Sequence, residues 1–244
     1  MAEVNKYLFE TANSLAGDKD VPFSVFDGKR VVITGSTGLI GSQLVRVLLC
    51  RNEAESANIE LVLPVRNTDK ARSLFGVSSQ IQYIRWSLDE DLRVDGTADY
   101  FVHAACSTSS KSFQEKPATT ILQIVNGGAE TLRCANELNV EKYLFLSTME
   151  VYGETQDVAY EGRLGNLDPM MVRNSYPEAK KLTECLCASW YKEFGLPTVI
   201  VRLAQTFGQG VDPSDMRVFA EFARGATSGD GITLLSDGTK RNPY

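Results

Sequence analysis

Three glycines spaced three apart follow a short β-branched run in Arg30-Val31-Val32-Ile33-Thr34-Gly35-Ser36-Thr37-Gly38-Leu39-Ile40-Gly41. No other stretch constrains the fold as strongly. Val31, Val32 and Ile33 are apolar without alternation, as in a strand buried on both faces. Ile40, Leu44, Val47 and Leu48 then recur at helical spacing. A strand that passes through glycines into a helix makes a phosphate cradle. Gly35 permits the tight turn, Gly38 lets the backbone approach a pyrophosphate, and Gly41 lets helix and strand pack closely. The helix start also presents free N–H groups to the anion. Gly35, Ser36, Thr37, Gly38, Leu39, Ile40 and Gly41 are therefore the expected cofactor contacts.

From residue 29 onward, strand and helix patterns alternate. Strands are expected at 30–34, 59–65, 81–85, 100–104, 142–147 and 198–203, and helices at 40–50, 68–74, 117–138 and 175–194. Alternation of this kind implies an α/β fold, a doubly wound parallel sheet with helices on both faces. In the 117–138 helix, Ile121, Val125, Leu132 and Ala135 form a stripe expected to face the core. Ahead of the first strand, Tyr7, Leu8, Thr11 and Leu15 sit at helical spacing and Gly17-Asp18 ends that helix. Pro22-Phe23-Ser24-Val25-Phe26 reads as extended. Residues 1–28 are thus expected to form a packed N-terminal arm.

The chain carries a net charge of −6 and no basic run, which argues against a nucleic-acid surface. No apolar stretch is long enough to span a bilayer, and the first residues lack the pattern of a signal peptide. The cysteines at 50, 106, 134, 185 and 187 form no C-x-x-C pair, and His103 is the single histidine. That combination argues against zinc and for reduced thiols in the cytoplasm.

Two further segments carry chemistry. Ser147-Thr148-Met149-Glu150-Val151-Tyr152-Gly153 lies at the carboxyl end of the fifth strand, where open α/β sheets bind ligands. Tyr176 and Lys180 are four apart and share a helix face. A nearby ammonium favours the phenolate of a tyrosine that is otherwise a poor base. Thr148 can hold a substrate oxygen while Tyr176 takes its proton and hydride leaves to the cofactor. At the end of the second strand no acidic residue is present for a ribose 2′-hydroxyl. Arg66 stands there instead and can pair with a 2′-phosphate, so NADP is favoured over NAD. His103 is expected to pack at a strand end rather than catalyse.

The order glycine turn, His103-Ala104-Ala105, S-T-x-E-V-Y-G and Y-x-x-x-K resembles the extended short-chain dehydrogenase/reductase superfamily. The S-T-x-E-V-Y-G segment resembles its NAD-dependent epimerase/dehydratase group, with the nearest likeness to sugar 4,6-dehydratases and UDP-glucuronate decarboxylases. The resemblance implies a Rossmann-like fold, a nucleotide-sugar substrate and oxidation at the sugar C4. It assigns Thr148, Glu150, Tyr176 and Lys180 to catalysis, and His103, Ala104 and Ala105 to the wall beside the cofactor. Asn126 would help orient the catalytic strand. Gln205, Arg217 and Arg241 would contact substrate. The helices at 117–138 and 175–194 would pair with those of a second copy in a homodimer.

The sequence also departs from that pattern. Met149 replaces the acid of the dTDP-glucose dehydratases and cannot donate a proton. Gln205 and Gln209 replace an Asn and a Pro, and Ser87 stands where an Asp often lies near the adenine. The expected organisation is an arm (1–28), an NAD(P)-binding domain (29–204) and an incomplete substrate lobe (205–244). Two rival readings follow from the same residues. One is an NADPH-dependent carbonyl reductase of the dihydroflavonol reductase type, supported by Arg66. The other is a catalytically inactive NADP-binding protein.

Overall fold

A computed structural model describes residues 2–106, 110–154, 158–212, 214–229, 231–232 and 237. The strands are β1 (Arg30–Thr34), β2 (Glu60–Val65), β3 (Ile81–Arg85), β4 (Tyr100–His103), β5 (Lys142–Thr148) and β6 (Thr198–Leu203). They form one sheet in the order β3-β2-β1-β4-β5-β6. Every neighbouring pair is parallel. The order reverses between β1 and β4, and that switch point opens a crevice at the carboxyl ends of the two strands. Among the described residues no helix is long and apolar enough to cross a membrane.

Helices α1 (Ala2–Ala16), α2 (Leu39–Glu55), α3 (Thr68–Phe75), α4 (Ser110–Glu115), α5 (Pro117–Glu137), α6 (Ser175–Phe194) and α7 (Val218–Ser228) flank or follow the sheet. Successive residues of β1 feed opposite cores. Val31 and Ile33 pack with Val45 and Leu48 of α2. Val32 packs on the other face with Phe101, Tyr143, Leu132 and Cys187, beneath α5 and α6. Two-sided burial is why β1 reads as an unbroken apolar run.

Two sequence expectations are corrected. Residues 22–26 are not extended; Phe23–Phe26 form a 3-10 turn with none of its residues buried. Both edges of β1 are taken by β2 and β4, so this segment meets its hydrogen-bonding needs locally, Val25 N to Pro22 O and Asp27 N to Ser24 O. Ile121 does not face the core and is 39% exposed. Leu132 and Ala135 of the expected stripe are buried, and the buried face turns away from Ile121 towards Thr120, Ile124, Gly127, Gly128 and Thr131. The two glycines set that rotation. A Cβ on Gly127 would lie 2.5 Å from Leu88 Cδ2, and one on Gly128 2.5 Å from Thr183 Cγ2 of α6. Helix α2 is buried almost all round from Val45 to Cys50, because α1 covers its outer side, as a packed arm would. Ala12 and Ala16 pack on Val47 and Cys50, and Arg46 lies between the rings of Phe9 and Phe75.

Candidate active site

The glycine turn connects β1 to α2 at the switch point. Gly35 has φ +70°, and a Cβ there would lie 2.5 Å from the Ala104 carbonyl carbon at the end of β4. A Cβ on Gly41 would lie 2.3 Å from the Gly35 carbonyl oxygen, and one on Gly38 3.2 Å from that same oxygen. The backbone therefore fills the space that side chains would occupy. Gly38 caps α2 in an extended conformation without a side-chain hydrogen bond, so the first N–H groups of the helix are free to meet an anion. Ser36 Oγ is buried and has no hydrogen-bond partner among the described residues. Such a cradle, with an orphaned hydroxyl in it, fits a dinucleotide pyrophosphate.

The wall opposite is built by β4 and β5. His103 Nδ1 shares a 2.8 Å hydrogen bond with Thr34 Oγ1, and its ring stacks on Phe145 at 5.7 Å. Burial, aided by the Lys180 charge, pulls the His103 imidazole down to about 3. It is a neutral packing residue at a strand end, as expected from sequence. Ala105 N donates to Thr34 Oγ1 at 3.3 Å, which ties the small-residue segment to β1.

Tyr176 and Lys180 open α6 beside the end of β5. The Thr148 hydroxyl lies near enough to favour the Tyr176 phenolate, and the Tyr176 ring stacks on Phe113, 4.4 Å between centroids and 11° between planes. Lys180 is 4% exposed. Its Nζ donates to the Leu146 carbonyl at 2.7 Å and lies 4.6 Å over the Phe145 ring. The electrostatics differ from the sequence expectation. Burial drives the Tyr176 phenol well above its ordinary value, the neighbouring Cys106 and Glu150 push the same way, and the Thr148 hydroxyl opposes them. The lysine charge is spent on a backbone carbonyl instead of the phenol. Tyr176 is thus held as a protonated acid until further positive charge reaches it.

A family model described as "NAD dependent epimerase/dehydratase family" matches residues 31–244. The chain belongs to this family. It is 29% identical over 216 residues to UDP-glucuronic acid decarboxylase 6 of Arabidopsis thaliana, covering 88% of this chain and 62% of that protein. It is 25% identical over 220 residues to UDP-glucuronic acid decarboxylase 1 of Danio rerio, covering 89% and 51%. The chain therefore spans about half to three-fifths of the length of these curated relatives. Among solved structures it is similar to a UDP-N-acetylglucosamine 4-epimerase from Methanobrevibacter ruminantium, with TM-score 0.72, 21% identity, and 86% of this chain and 66% of that one covered. It is likewise similar to a UDP-glucuronic acid 4-epimerase from Bacillus cereus in complex with UDP-glucuronic acid and NAD. There the TM-score is 0.69, the identity 23% and the coverage 86% and 67%. At these identities the structural likeness establishes the Rossmann-like fold.

The other anticipated residues of this epimerase/dehydratase chain are placed unevenly. Glu150 follows Thr148 in a 3-10 turn, Met149–Tyr152, and pairs with Arg173 at 2.9 Å. Arg173 also lies 5.4 Å over the Phe113 ring, so it joins Glu150 to the Tyr176 stack. Arg66 is exposed just beyond β2 and, among the described residues, makes no hydrogen bond or ion pair. Gln205 is half-buried after β6. Arg217 is exposed, pairs with Asp215 at 2.5 Å and lies 4.6 Å over Phe219. Arg241 lies outside the described residues. Asn126 is exposed on α5 without a hydrogen bond to β5, so its implied part in orienting that strand has no contact behind it. Sequence reasoning missed Phe113, Arg173 and Glu184. Arg173 and Glu184 were within reach, three residues before Tyr176 and four after Lys180. Phe113 lies far upstream and left no local signal.

Proposed function

We propose that this chain carries the cofactor-binding half and the catalytic groups of a nucleotide-sugar enzyme that oxidises its substrate at the sugar C4. The observation that supports this most is the convergence of Thr148, Tyr176 and Lys180 at the end of β5, in the same parallel sheet as the glycine turn. A nicotinamide dinucleotide accepts and returns hydride and, when oxidised, carries a positive charge on its ring. In this reading Gly35 to Gly41 bind the pyrophosphate, and Ala104 and Ala105 leave room beside it. Thr148 Oγ1 orients the sugar hydroxyl, and Tyr176 removes its proton and later restores it. The resulting ketone acidifies the adjacent carbon or allows an attached carboxylate to leave as carbon dioxide. Residues 29–204 are the cofactor domain, 205–244 belong to the substrate lobe, and 1–28 are an added arm. Gln205, Arg217 and Arg241 serve the nucleotide sugar.

UDP-glucuronic acid is the substrate to test first, since the relatives of this chain are named for its decarboxylation. Incubation with that sugar nucleotide and NAD or NADP, followed by NMR, is expected to yield a decarboxylated, dehydrated or epimerised UDP-sugar without net cofactor consumption. Stoichiometric loss of NADPH with a carbonyl substrate instead would establish the reductase reading. Glu150 decides the branch. Glu150→Gln keeps the shape and removes the charge that faces Arg173. The variant is expected to form reduced cofactor yet accumulate the 4-keto sugar, visible as an NMR signal absent from the parent. Conversion to final product at the parent rate would make Glu150 a structural residue.

The cofactor proposal rests on Arg66. Its guanidinium, exposed and without a partner among the described residues, suits a 2′-phosphate. NADP is expected to bind more tightly than NAD by calorimetry, and Arg66→Ala to weaken NADP by about tenfold or more while sparing NAD. Equal affinity for the two in the parent would remove this reading. A homodimer through α5 and α6 is supported by apolar side chains on their outer faces, with Leu122 58%, Leu182 50% and Phe194 51% exposed. Light scattering at micromolar concentration is expected to give twice the chain mass; a monomer mass would count against it.

A further inference from the structure

Three successive turns of α6 face three successive residues of β5, and two of them bond to it. Lys180 Nζ donates to the Leu146 carbonyl at 2.7 Å, Ser147 Oγ donates to Glu184 Oε1 at 2.6 Å, and Tyr176 lies by the Thr148 hydroxyl. The three α6 residues are four apart, so they share one helix face. All three are buried, Tyr176 and Glu184 at 8% exposure and Lys180 at 4%.

Glu184 is fixed in turn from β6. Arg202 Nε donates to Glu184 Oε1 at 3.0 Å and Arg202 Nη2 to Oε2 at 2.7 Å. This forked pairing sets the carboxylate plane as well as its distance. The same guanidinium donates through Nη1 to the Glu161 carbonyl at 3.0 Å and lies 4.9 Å over the Tyr152 ring. Tyr152 ends the 3-10 turn that carries Glu150. One partly buried ion pair thus touches the strand before Thr148, the helix that presents Tyr176 and the turn that presents Glu150.

We propose that Glu184 and Arg202 are positioning residues for the reaction, holding α6 in register on β5 so that Thr148 and Tyr176 meet. The inference rests on Tyr176 being the proton-transfer group. Neither residue reaches the reacting atoms; both act through Ser147 and Tyr152. An ångström of misplacement at a reacting pair costs about a hundredfold in rate, whereas a buried ion pair that served only packing would be replaceable with little effect on turnover.

The test compares Glu184→Gln, Arg202→Lys and Ser147→Ala with the parent and with Tyr176→Phe. Ring-labelled tyrosine NMR reports the surroundings of Tyr176, whose signal is assigned by its loss in Tyr176→Phe. Thermal melting, cofactor calorimetry and turnover of UDP-glucuronic acid accompany it. The expected result is a displaced Tyr176 signal in the Glu184→Gln and Ser147→Ala proteins. With it, kcat falls about ten- to hundredfold, while KM and cofactor affinity stay within about twofold. The double variant of Ser147 and Glu184 is expected to lose less than the product of the two single losses, since both substitutions act on the same linked contacts. Ser147→Ala leaves the ion pair intact, so it carries the test alone if Glu184→Gln does not fold. An unmoved Tyr176 signal, or a parent kcat with lowered melting, overturns the inference and leaves an ion pair of packing alone. If Tyr176→Phe itself keeps parental turnover, the assignment of the proton-transfer group has failed instead.

Discussion

Tyr176→Phe is expected to lose about two orders of magnitude or more in turnover, the scale of general acid–base catalysis, while still binding cofactor. The substitution removes one oxygen. The ring keeps its stack on Phe113, and Thr148 Oγ1 keeps the hydrogen bond it accepts from Glu150 N at 3.2 Å. Melting should therefore stay near the parent value. The buried phenol, held protonated by its surroundings, is the group whose ionisation the reaction has to bring about, so its loss strikes the chemical step and not the binding step. Lys180→Met behaves differently. It strips the Leu146 carbonyl of its 2.7 Å donor, and an unsatisfied buried acceptor costs about 1–3 kcal/mol. Lower stability, weaker cofactor binding and lost turnover are expected together. Near-parental turnover by Tyr176→Phe on a substrate the parent converts would show that another group moves the proton.

Gly41→Ala is expected to abolish cofactor binding. The new methyl would sit 2.3 Å from the Gly35 carbonyl oxygen, 2.9 Å from its carbon and 3.0 Å from Ser36 Cα. All three are backbone atoms of the turn itself, so no side chain can swing aside. Either α2 moves off β1 or the turn deforms, and overpacking of this kind costs about 1–3 kcal/mol of stability. The N–H groups that would face a pyrophosphate move with it, and each lost charge-assisted bond is worth about 1.5–3 kcal/mol, more than tenfold in affinity. Gly162→Ala is the matching control, since a Cβ there meets nothing within 4 Å; it should bind cofactor as the parent does. Calorimetric titration and thermal melting separate the two. Parental cofactor affinity in Gly41→Ala would mean that the pyrophosphate lies elsewhere.

The amino-acid sequence by itself determined the fold and the chain positions of the chemistry. The apolar runs at β1 and β2 are buried on both faces, so their composition alone marks them as strands of a covered parallel sheet. Gly35 and Gly41 are legible because the turn needs backbone in places where a Cβ cannot fit, and only one residue type meets that need; at Gly38 a Cβ would be tight, 3.2 Å from the Gly35 oxygen. Tyr176 and Lys180 are legible because helical spacing puts them on one face wherever the helix lies. The buried face of α5 was legible only in part: Leu132 and Ala135 are buried as their spacing implies, but Ile121 is not. Ile121 is the more apolar choice, but Gly127 and Gly128 permit a closer approach to Leu88 and α6, and that gain depends on a neighbouring helix far along the chain. The same limit hid the partners of the catalytic groups. Spacing could say that a lysine lies near a tyrosine; only packing decided that its charge goes to the Leu146 carbonyl and that burial governs the phenol. Phe113, Arg173 and Arg202 come to the site from separate segments, through contacts made only once β5, β6 and α6 are side by side. Backbone requirements are local and leave residue-type signatures, whereas the charge, burial and hydrogen bonding of a side chain belong to whatever the fold sets against it.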